Sequence, residues 1–173
     1  MSTPEVTVIQ DIRPLIAFVA PLLGVIGIVW AGEKRKNLRE TFTFLVASIQ
    51  ATVVLSMVPL LLSGTIVEFH IWQMVTHVPL LLRVDGFGLL FASVASLRWI
   101  ATTVYSIGYM RGLHEHAQTR FYAFFAISLS ATIGVAFSAN LLTIYFFYEM
   151  LSVSTFPLVT HMQDKEARTG GRT

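Results

Sequence analysis

Residues 140–160 read NLLTIYFFYEMLSVSTFPLVT, an apolar run with one charged side chain, Glu149, near its middle. A run of about 20 mostly apolar residues is long enough to cross the hydrocarbon core of a bilayer as a helix. A carboxylate at that depth costs a few kcal/mol on insertion scales. Because such a cost is rarely carried without a reason, Glu149 is the main functional candidate in this sequence.

The composition of the whole chain also indicates a membrane protein. Its 173 residues are 54% hydrophobic and 13% charged, whereas soluble domains carry about 25% charged residues. The net charge of +2 is too small to indicate nucleic-acid binding, and the absence of cysteine excludes disulfides and thiolate sites. The first apolar stretch is long and follows acidic residues and Arg13, so a cleavable signal peptide is not expected.

Five segments have the length and hydropathy of membrane spans. The sequence therefore predicts an all-α integral membrane protein, formed by a single transmembrane region and a tail at residues 161–173. The third span has the weakest hydropathy signal, because Arg98 lies near its centre. The predicted spans are residues 14–31, 42–62, 86–109, 121–139 and 141–160.

Three basic segments set the predicted orientation. With five spans they all fall on one side of the membrane, which the positive-inside rule makes cytoplasmic. We therefore expect the N-terminus and the 63–85 loop outside, and the C-terminus and the 161–173 tail in the cytoplasm. Within the 63–85 loop, β-branched and aromatic residues in partial alternation predict a short hairpin or an interfacial segment. The basic residues concerned are Lys34, Arg35, Lys36, Arg39, Arg111, Arg120, Lys165, Arg168 and Arg172.

Hydroxyl side chains accompany Glu149 along one side of its helix. At about 100° per residue, Tyr145, Glu149 and Ser152 share a face. Tyr148 and Thr155 lie beside that face. Such a stripe can hold ordered waters and relay protons, while the carboxylate stores the proton. Burial favours the neutral carboxyl and a nearby cation favours the ionised one, so a moving partner charge would shift the proton. The alternative is a permanently protonated Glu149 that hydrogen-bonds between helices.

Arg98 is the second charge predicted at bilayer depth. By the helical rise it lies about 18 Å from the outer end of its span, and Glu149 lies about 13 Å from the outer end of its own. A difference of about one turn permits an Arg98–Glu149 ion pair, which would reduce the burial cost of both groups. The alternative is that Arg98 faces another subunit or a lipid defect.

The remaining polar and proline residues have simpler interpretations. His161 follows the fifth span and either passes protons to the stripe or caps the interface. The 114–116 His-Glu-His loop lacks a third ligand, which favours a solvated loop over a metal site. Asp85 is expected to cap the third span, Gln50 to hydrogen-bond between helices, and the prolines at 21, 59 and 157 to kink helices. No nucleotide-binding loop or metalloprotease motif is found, so neither a cofactor nor a metal is expected.

Three stretches resemble a known family. Residues 81–110, LLRVDGFGLLFASVASLRWIATTVYSIGYM, open with VDG and end with YSIGYM. Residues 138–161, SANLLTIYFFYEMLSVSTFPLVTH, contain the core N-L-L…F-x-Y-E-M-x-S-x-S, and RFYAFFAISLSATIGVAFSAN lies between the two. Together they are similar to the antiporter-like subunits of respiratory complex I and of multisubunit Mrp-type cation/proton antiporters. The D subunit of the Mrp type, or a relative in a hydrogenase-type complex, is the nearest match; residues 1–80 match only in hydropathy and topology.

The resemblance implies a role for Glu149. It matches the family's fifth-helix glutamate, which takes part in proton translocation by coupling to a lysine on the seventh helix. The same resemblance implies the cell membrane, other membrane subunits as partners, and proton exchange against Na⁺ or another monovalent cation. Arg98 stands where the family would have an apolar residue, so no role is carried over to it.

The family's helix bundle continues beyond a fifth helix, whereas this sequence ends with GGRT. We therefore expect an incomplete half of a larger bundle: either a second chain supplies the later helices or the chain is truncated. The alternative function is a structural or assembly subunit of a respiratory or hydrogenase-type complex. In that alternative Glu149 and Arg98 hold helices together and the chain has no transport path of its own.

Overall fold

The computed structural model describes residues 7–75, 78–112 and 118–159. Within these residues, five helices are long and apolar enough to span a membrane, which confirms the predicted helical class and number of spans. The elements in chain order are β1 (Thr7–Gln10), α1 (Arg13–Ala31), α2 (Lys36–Leu55), α3 (Val58–Leu62), β2 (Thr65–Val75), β3 (Val78–Val84), α4 (Gly86–Gly112), α5 (Gln118–Ala136) and α6 (Leu141–Val159). The second span consists of α2 followed by α3.

The second span is interrupted by a turn between α2 and α3. It begins at Lys36, earlier than residue 42, where the apolar run starts. Pro59 lies in the first turn of α3, where its missing N–H breaks no helical hydrogen bond. In a continuous helix it would leave the carbonyl of Leu55 without a donor. Pro59 therefore divides the span, while Pro21 and Pro157 remain inside α1 and α6.

A three-stranded sheet lies at one end of the bundle, here called the sheet end. β2 pairs with β3 in antiparallel fashion, with Val67 opposite Val84 and Glu68 opposite Arg83, which confirms the hairpin expected in the 63–85 loop. β1 adds to β2 as a parallel strand, a pairing that the sequence did not predict. The sheet is thus an addition to the all-α class, because β1 is too short to show a strand pattern.

The turn between α5 and α6 covers the free edge of β3. The backbone N–H of Arg83 donates to the carbonyl of Phe137 at 2.6 Å. The side-chain amide of Asn140 donates to the carbonyl of Pro79 at 2.8 Å, and its Oδ1 accepts from the N–H of Thr143 at 2.9 Å. Asn140 therefore caps the start of α6 and fixes that start against the sheet.

α5 is the central helix of the bundle. It packs against α1, α4 and α6, and it is the most buried span, whereas α6 is the least buried. The close approach of α5 to α6 occurs at Gly134, where an added Cβ would lie 2.4 Å from the ring of Phe147. Phe147 is 1% exposed and also meets the ring of Phe18 edge-on. A glycine at 134 is therefore required by this contact rather than by backbone conformation.

Two predicted polar contacts are confirmed. Oδ1 of Asp85 accepts from the N–H of Gly88 at 2.6 Å and caps the start of α4. The side-chain amide of Gln50 on α2 donates to the carbonyl of Ala17 on α1 at 3.1 Å. Both contacts pair a polar side-chain atom with a backbone group of the chain.

We predict that Gly134→Ala destabilises the chain by about 1–3 kcal/mol, because the buried ring of Phe147 has to move. Gly108→Ala is the matched control: no atom lies within 4 Å of an added Cβ there, and alanine favours the helix. Thermal unfolding of both variants in detergent measures the difference. Equal melting temperatures for the two variants would contradict the proposed close contact.

Candidate functional site

Glu149 lies on the outer surface of α6 beside α5. Its side chain is exposed and lines a groove of about 600 Å³ between the two helices. The other lining residues are mainly apolar, with the hydroxyls of Tyr145 and Ser154 as polar exceptions. Glu149 is therefore a carboxyl group set among apolar side chains on an open face of the bundle.

The predicted hydroxyl stripe lies on the outward side of α6. Tyr145 and Tyr148 are 61% and 58% exposed, and Ser152 is also exposed. Thr155 is half-buried, and its Oγ1 donates to the carbonyl of Ser152 at 2.9 Å. Within the described residues the stripe therefore faces away from the bundle, and its members are available to groups outside them.

A second pair of hydroxyls lies beside Glu149 and was missed by sequence reasoning. The hydroxyls of Ser128 on α5 and Ser154 on α6 are 2.9 Å apart and buried. Ser154 also lines the groove that holds Glu149. The helical pattern on α6 selected Ser152 and Thr155, and only the packing of α5 shows that Ser154 has an interhelical partner.

Arg98 and Glu149 do not pair. Arg98 is exposed on α4, which packs against α2 and α5, whereas α6 packs against α5. Four ion pairs occur among the described residues, and neither Arg98 nor Glu149 takes part in them. The helical rise places Arg98 and Glu149 at similar depths, but the two side chains do not meet because α5 lies between α4 and α6. The alternative, an Arg98 that faces outward, agrees with its exposure.

A polar cluster closes the end of the bundle opposite the sheet, here called the basic end. Arg39 is 0% exposed, and its guanidinium donates to Oε1 of Gln118 at 2.6 Å and to Oε2 of Glu33 at 3.0 Å. It also donates to the hydroxyl of Thr119 at 3.1 Å and lies 5.3 Å from the centre of the Tyr122 ring. Arg39 thus joins the α1–α2 loop, α2 and α5.

A second cation joins α4 to α2 in the same region. Arg111 donates to both carboxylate oxygens of Glu40, which is 5% exposed, and to Oδ1 of Asn37 at 2.6 Å. In the sequence analysis, Arg39 and Arg111 served only as basic residues that set the orientation in the membrane. The signal that could have shown the burial of Arg39 is its spacing with Thr43 and Ala47, which continues the buried face of α2.

The cluster shifts the pKa of Glu33. Partial burial acts to raise the pKa of this carboxyl, but hydrogen bonds from Thr119 and the nearby Arg39 outweigh it. The pKa of Glu33 therefore lies below its ordinary value of 4.5. One of the hydrogen bonds is from the backbone N–H of Thr119, at 2.7 Å.

Several predicted features lie outside the described residues. These are His161, the 161–173 tail and the 114–116 His-Glu-His loop. Their proposed parts in proton transfer, interfacial capping or solvation stay predictions.

Comparison with known proteins finds antiporter subunits among the relatives of the chain. No family model matches the chain. It is 32% identical over 108 residues to antiporter subunit mnhA2 of Staphylococcus haemolyticus, a match that covers 62% of this chain and 13% of the relative. The chain resembles antiporter subunits. It is 29% identical over 123 residues to mnhA2 of Staphylococcus saprophyticus, covering 70% of this chain and 15% of the relative. For mnhA2 of Staphylococcus aureus the identity is 32% over 90 residues, or 52% of this chain and 11% of the relative.

These relatives confirm the resemblance to antiporter subunits that the motifs predicted. They are named mnhA2 rather than as a D subunit. The antiporter-like chain spans 13% of the length of the first relative and 15% of the second. It therefore matches only a small part of such a subunit, in agreement with the predicted partial bundle.

We predict that Arg39→Ala lowers the free energy of unfolding by about 2–4 kcal/mol, because it leaves buried acceptors without their charged donor. Lys34→Ala is the control, since it removes the same charge from an exposed position in the α1–α2 loop, five residues before Arg39. The control is expected to change stability by less than about 0.5 kcal/mol. Thermal unfolding in detergent measures both, and similar losses in the two variants would show that net charge rather than the buried cluster is responsible.

The lowered pKa of Glu33 predicts a loss of stability in acid. The folded chain binds the proton at Glu33 more weakly than the unfolded chain, so this contribution is full above about pH 4.5 and is lost as the pH falls through the folded pKa. Melting temperatures measured from pH 7 to pH 3 should therefore fall more steeply for the parent than for Glu33→Gln. Parallel curves would contradict the pKa shift.

Proposed function

We propose that the chain is the N-terminal, five-span part of an antiporter-like, proton-translocating subunit. It works in the cell membrane within a multisubunit complex and serves monovalent cation/proton antiport, with Na⁺ as the first candidate ion. The observation that carries this proposal is the carboxyl group of Glu149, exposed in an apolar groove on the outermost face of α6. The names of its relatives support the antiporter class.

Glu149 is the proton-carrying group in this proposal. When apolar groups from outside the described residues close over the groove, the carboxyl holds its proton. When a cationic side chain approaches, the ionised form is stabilised and the proton leaves. Control of Glu149 therefore comes from a charge outside this five-span part, and the resemblance assigns that charge to a lysine of a later helix.

Hydroxyl groups provide the proposed route to and from Glu149. Tyr145 and Ser154 line the same groove, and Ser154 is hydrogen-bonded to Ser128 across the α5–α6 contact. Ser152 and Thr155 continue along α6 toward the basic end, where His161 follows in the sequence. Waters between such hydroxyls can pass protons without movement of the helices. The basic residues at that end favour a cytoplasmic location for it and an outer location for the sheet end.

The competing function is a structural or assembly subunit without a transport path. One observation favours it: Glu149 is exposed on a helix face where a further helix can dock, so it could lock helices together in a permanently neutral form. In a redox-driven complex the same chain would transport protons but not Na⁺. Substitution of Glu149 separates these functions.

We predict that Glu149→Gln lowers Na⁺-dependent proton movement by at least about tenfold, because glutamine keeps the size and hydrogen bonding but cannot carry a proton. Proton movement is followed by dye fluorescence in inverted membrane vesicles after addition of Na⁺, with K⁺ and choline as comparison ions. Glu149→Asp is the matched control and should retain most of the rate, because it keeps a titratable carboxyl.

Assembly is measured on the same vesicles by co-purification of the other subunits. Glu149→Gln complexes that assemble and transport at the parental rate would rule out proton carriage by Glu149. Loss of assembly in Glu149→Gln together with normal behaviour of Glu149→Asp would favour the structural function. Transport that does not depend on Na⁺ but depends on Glu149 would retain the proton role and remove the proposed ion.

A further inference from the structure

Arg98 is a charged group without a partner in the part of the chain that the structure describes. Among the described residues it forms no ion pair, and its side chain is exposed on α4. Arginine cannot lose its charge in proteins, so it cannot become neutral as a carboxyl group can. A cation that stays charged at the surface of a membrane span needs an anion or water at that place.

The depth of Arg98 limits which anion can reach it. It is equally far in sequence from Asp85, which caps α4 at the sheet end, and from Arg111 in the cluster at the basic end. By the helical rise each of these polar ends is about 20 Å away. A bilayer core about 30 Å thick places the middle of such a helix about 15 Å from either interface. An arginine side chain is too short to cover that distance, so a lipid phosphate is disfavoured as its partner.

The surface around Arg98 has the pattern of a helix-packing face. Within the exposed arc of α4, which also includes Leu97 and Val104, one row of residues through Arg98 follows alternating steps of three and four, the spacing at which one helix packs along another. We call these residues the α4 face: Phe91, Val94, Arg98, Ala101, Tyr105 and Gly108. At Gly108 no atom of the described chain lies within 4 Å of an added Cβ, and small residues at such positions let a second helix approach closely.

We propose that the α4 face binds a transmembrane helix of another subunit, and that this helix carries an aspartate or glutamate at the depth of Arg98. A carboxylate fits the guanidinium with two parallel hydrogen bonds, which satisfies both charges away from water. This surface lies on α4, whereas the groove of Glu149 lies between α5 and α6. The proposal therefore does not depend on whether Glu149 carries protons.

The first test measures assembly in native membranes. Arg98→Ala is expected to lower the amount of one co-purified membrane subunit by about tenfold or more, because the partner's carboxylate loses its counter-charge. Arg98→Lys should restore part of the binding, since lysine keeps the charge but not the paired hydrogen bonds. Val104→Ala is the control, because Val104 is 58% exposed on α4 but lies outside the α4 face. Unchanged co-purification with Arg98→Ala would overturn the proposal.

The second test keeps Arg98 intact and locates the partner. A photo-crosslinking amino acid is placed at Tyr105 or at Val104, which lie at the same depth and about 100° apart around the helix. The amino acid at Tyr105 is expected to crosslink to a membrane span of another subunit, and that span should carry Asp or Glu within about one turn of the depth of Arg98. The amino acid at Val104 is expected to give much less of the same crosslinked product. Neutralising that acidic residue should reproduce the loss seen with Arg98→Ala.

Crosslinks from Tyr105 to lipid alone, or to a span without an acidic residue, would overturn the proposal. If Arg98→Ala fails to accumulate in the membrane, the same crosslinks still test whether the α4 face binds an acidic helix of another subunit. The outcome for the α4 face can also be distinguished from the outcome for proton carriage by Glu149. Glu149→Gln is expected to leave the Tyr105 crosslink unchanged while transport falls, and Arg98→Ala is expected to lose the partner itself.

Discussion

The buried guanidinium of Arg39 sets the arrangement on which the rest of the bundle depends. A cation enclosed by protein has to be surrounded by acceptors, and here the α1–α2 loop supplies Glu33 while the start of α5 supplies Gln118. One side chain therefore fixes both the conformation of a loop and the entry of the central helix. Because α6 rests on α5, the position of the groove that holds Glu149 follows from the same contact.

The spans, the hairpin and the cap at Asp85 could be predicted because each leaves a local signal. Apolar length marks a span, alternation marks a strand, and an aspartate before a helix marks a cap. The burial of Arg39 was missed because Arg39 was grouped with the basic loop before α2, although its spacing with Thr43 and Ala47 places it on the buried face of that helix. Its partner Gln118 could not be predicted, because that contact depends on how α2 and α5 pack. The Arg98–Glu149 pair was one of two alternatives and rested on depth alone, and depth along a helix does not specify which helices are neighbours.

The candidate site was predictable in its central residue and not in its surroundings. Glu149 was visible as a charge in an apolar run, and Tyr145 and Ser152 as its neighbours on a helical face. The Ser128–Ser154 contact depends on the packing of two helices, which the sequence does not specify locally. Both membrane-depth charges, Glu149 and Arg98, face outward on α6 and α4, separated by α5. The bundle therefore presents the two charges of its apolar spans outward and satisfies the polar groups at its ends internally.

The sheet has a consequence for biogenesis. β1 pairs with β2, β2 with β3, and β3 with the turn that follows α5, all through backbone hydrogen bonds. Segments joined in this way must emerge on the same face of the membrane, so an even number of crossings has to separate each from the next. The pairings can therefore form only when the spans are inserted correctly. If one span fails to cross the membrane, strands that should pair are left on opposite faces of the membrane. β1 also stays without its partner strand until two spans have been inserted and β2 has been synthesised.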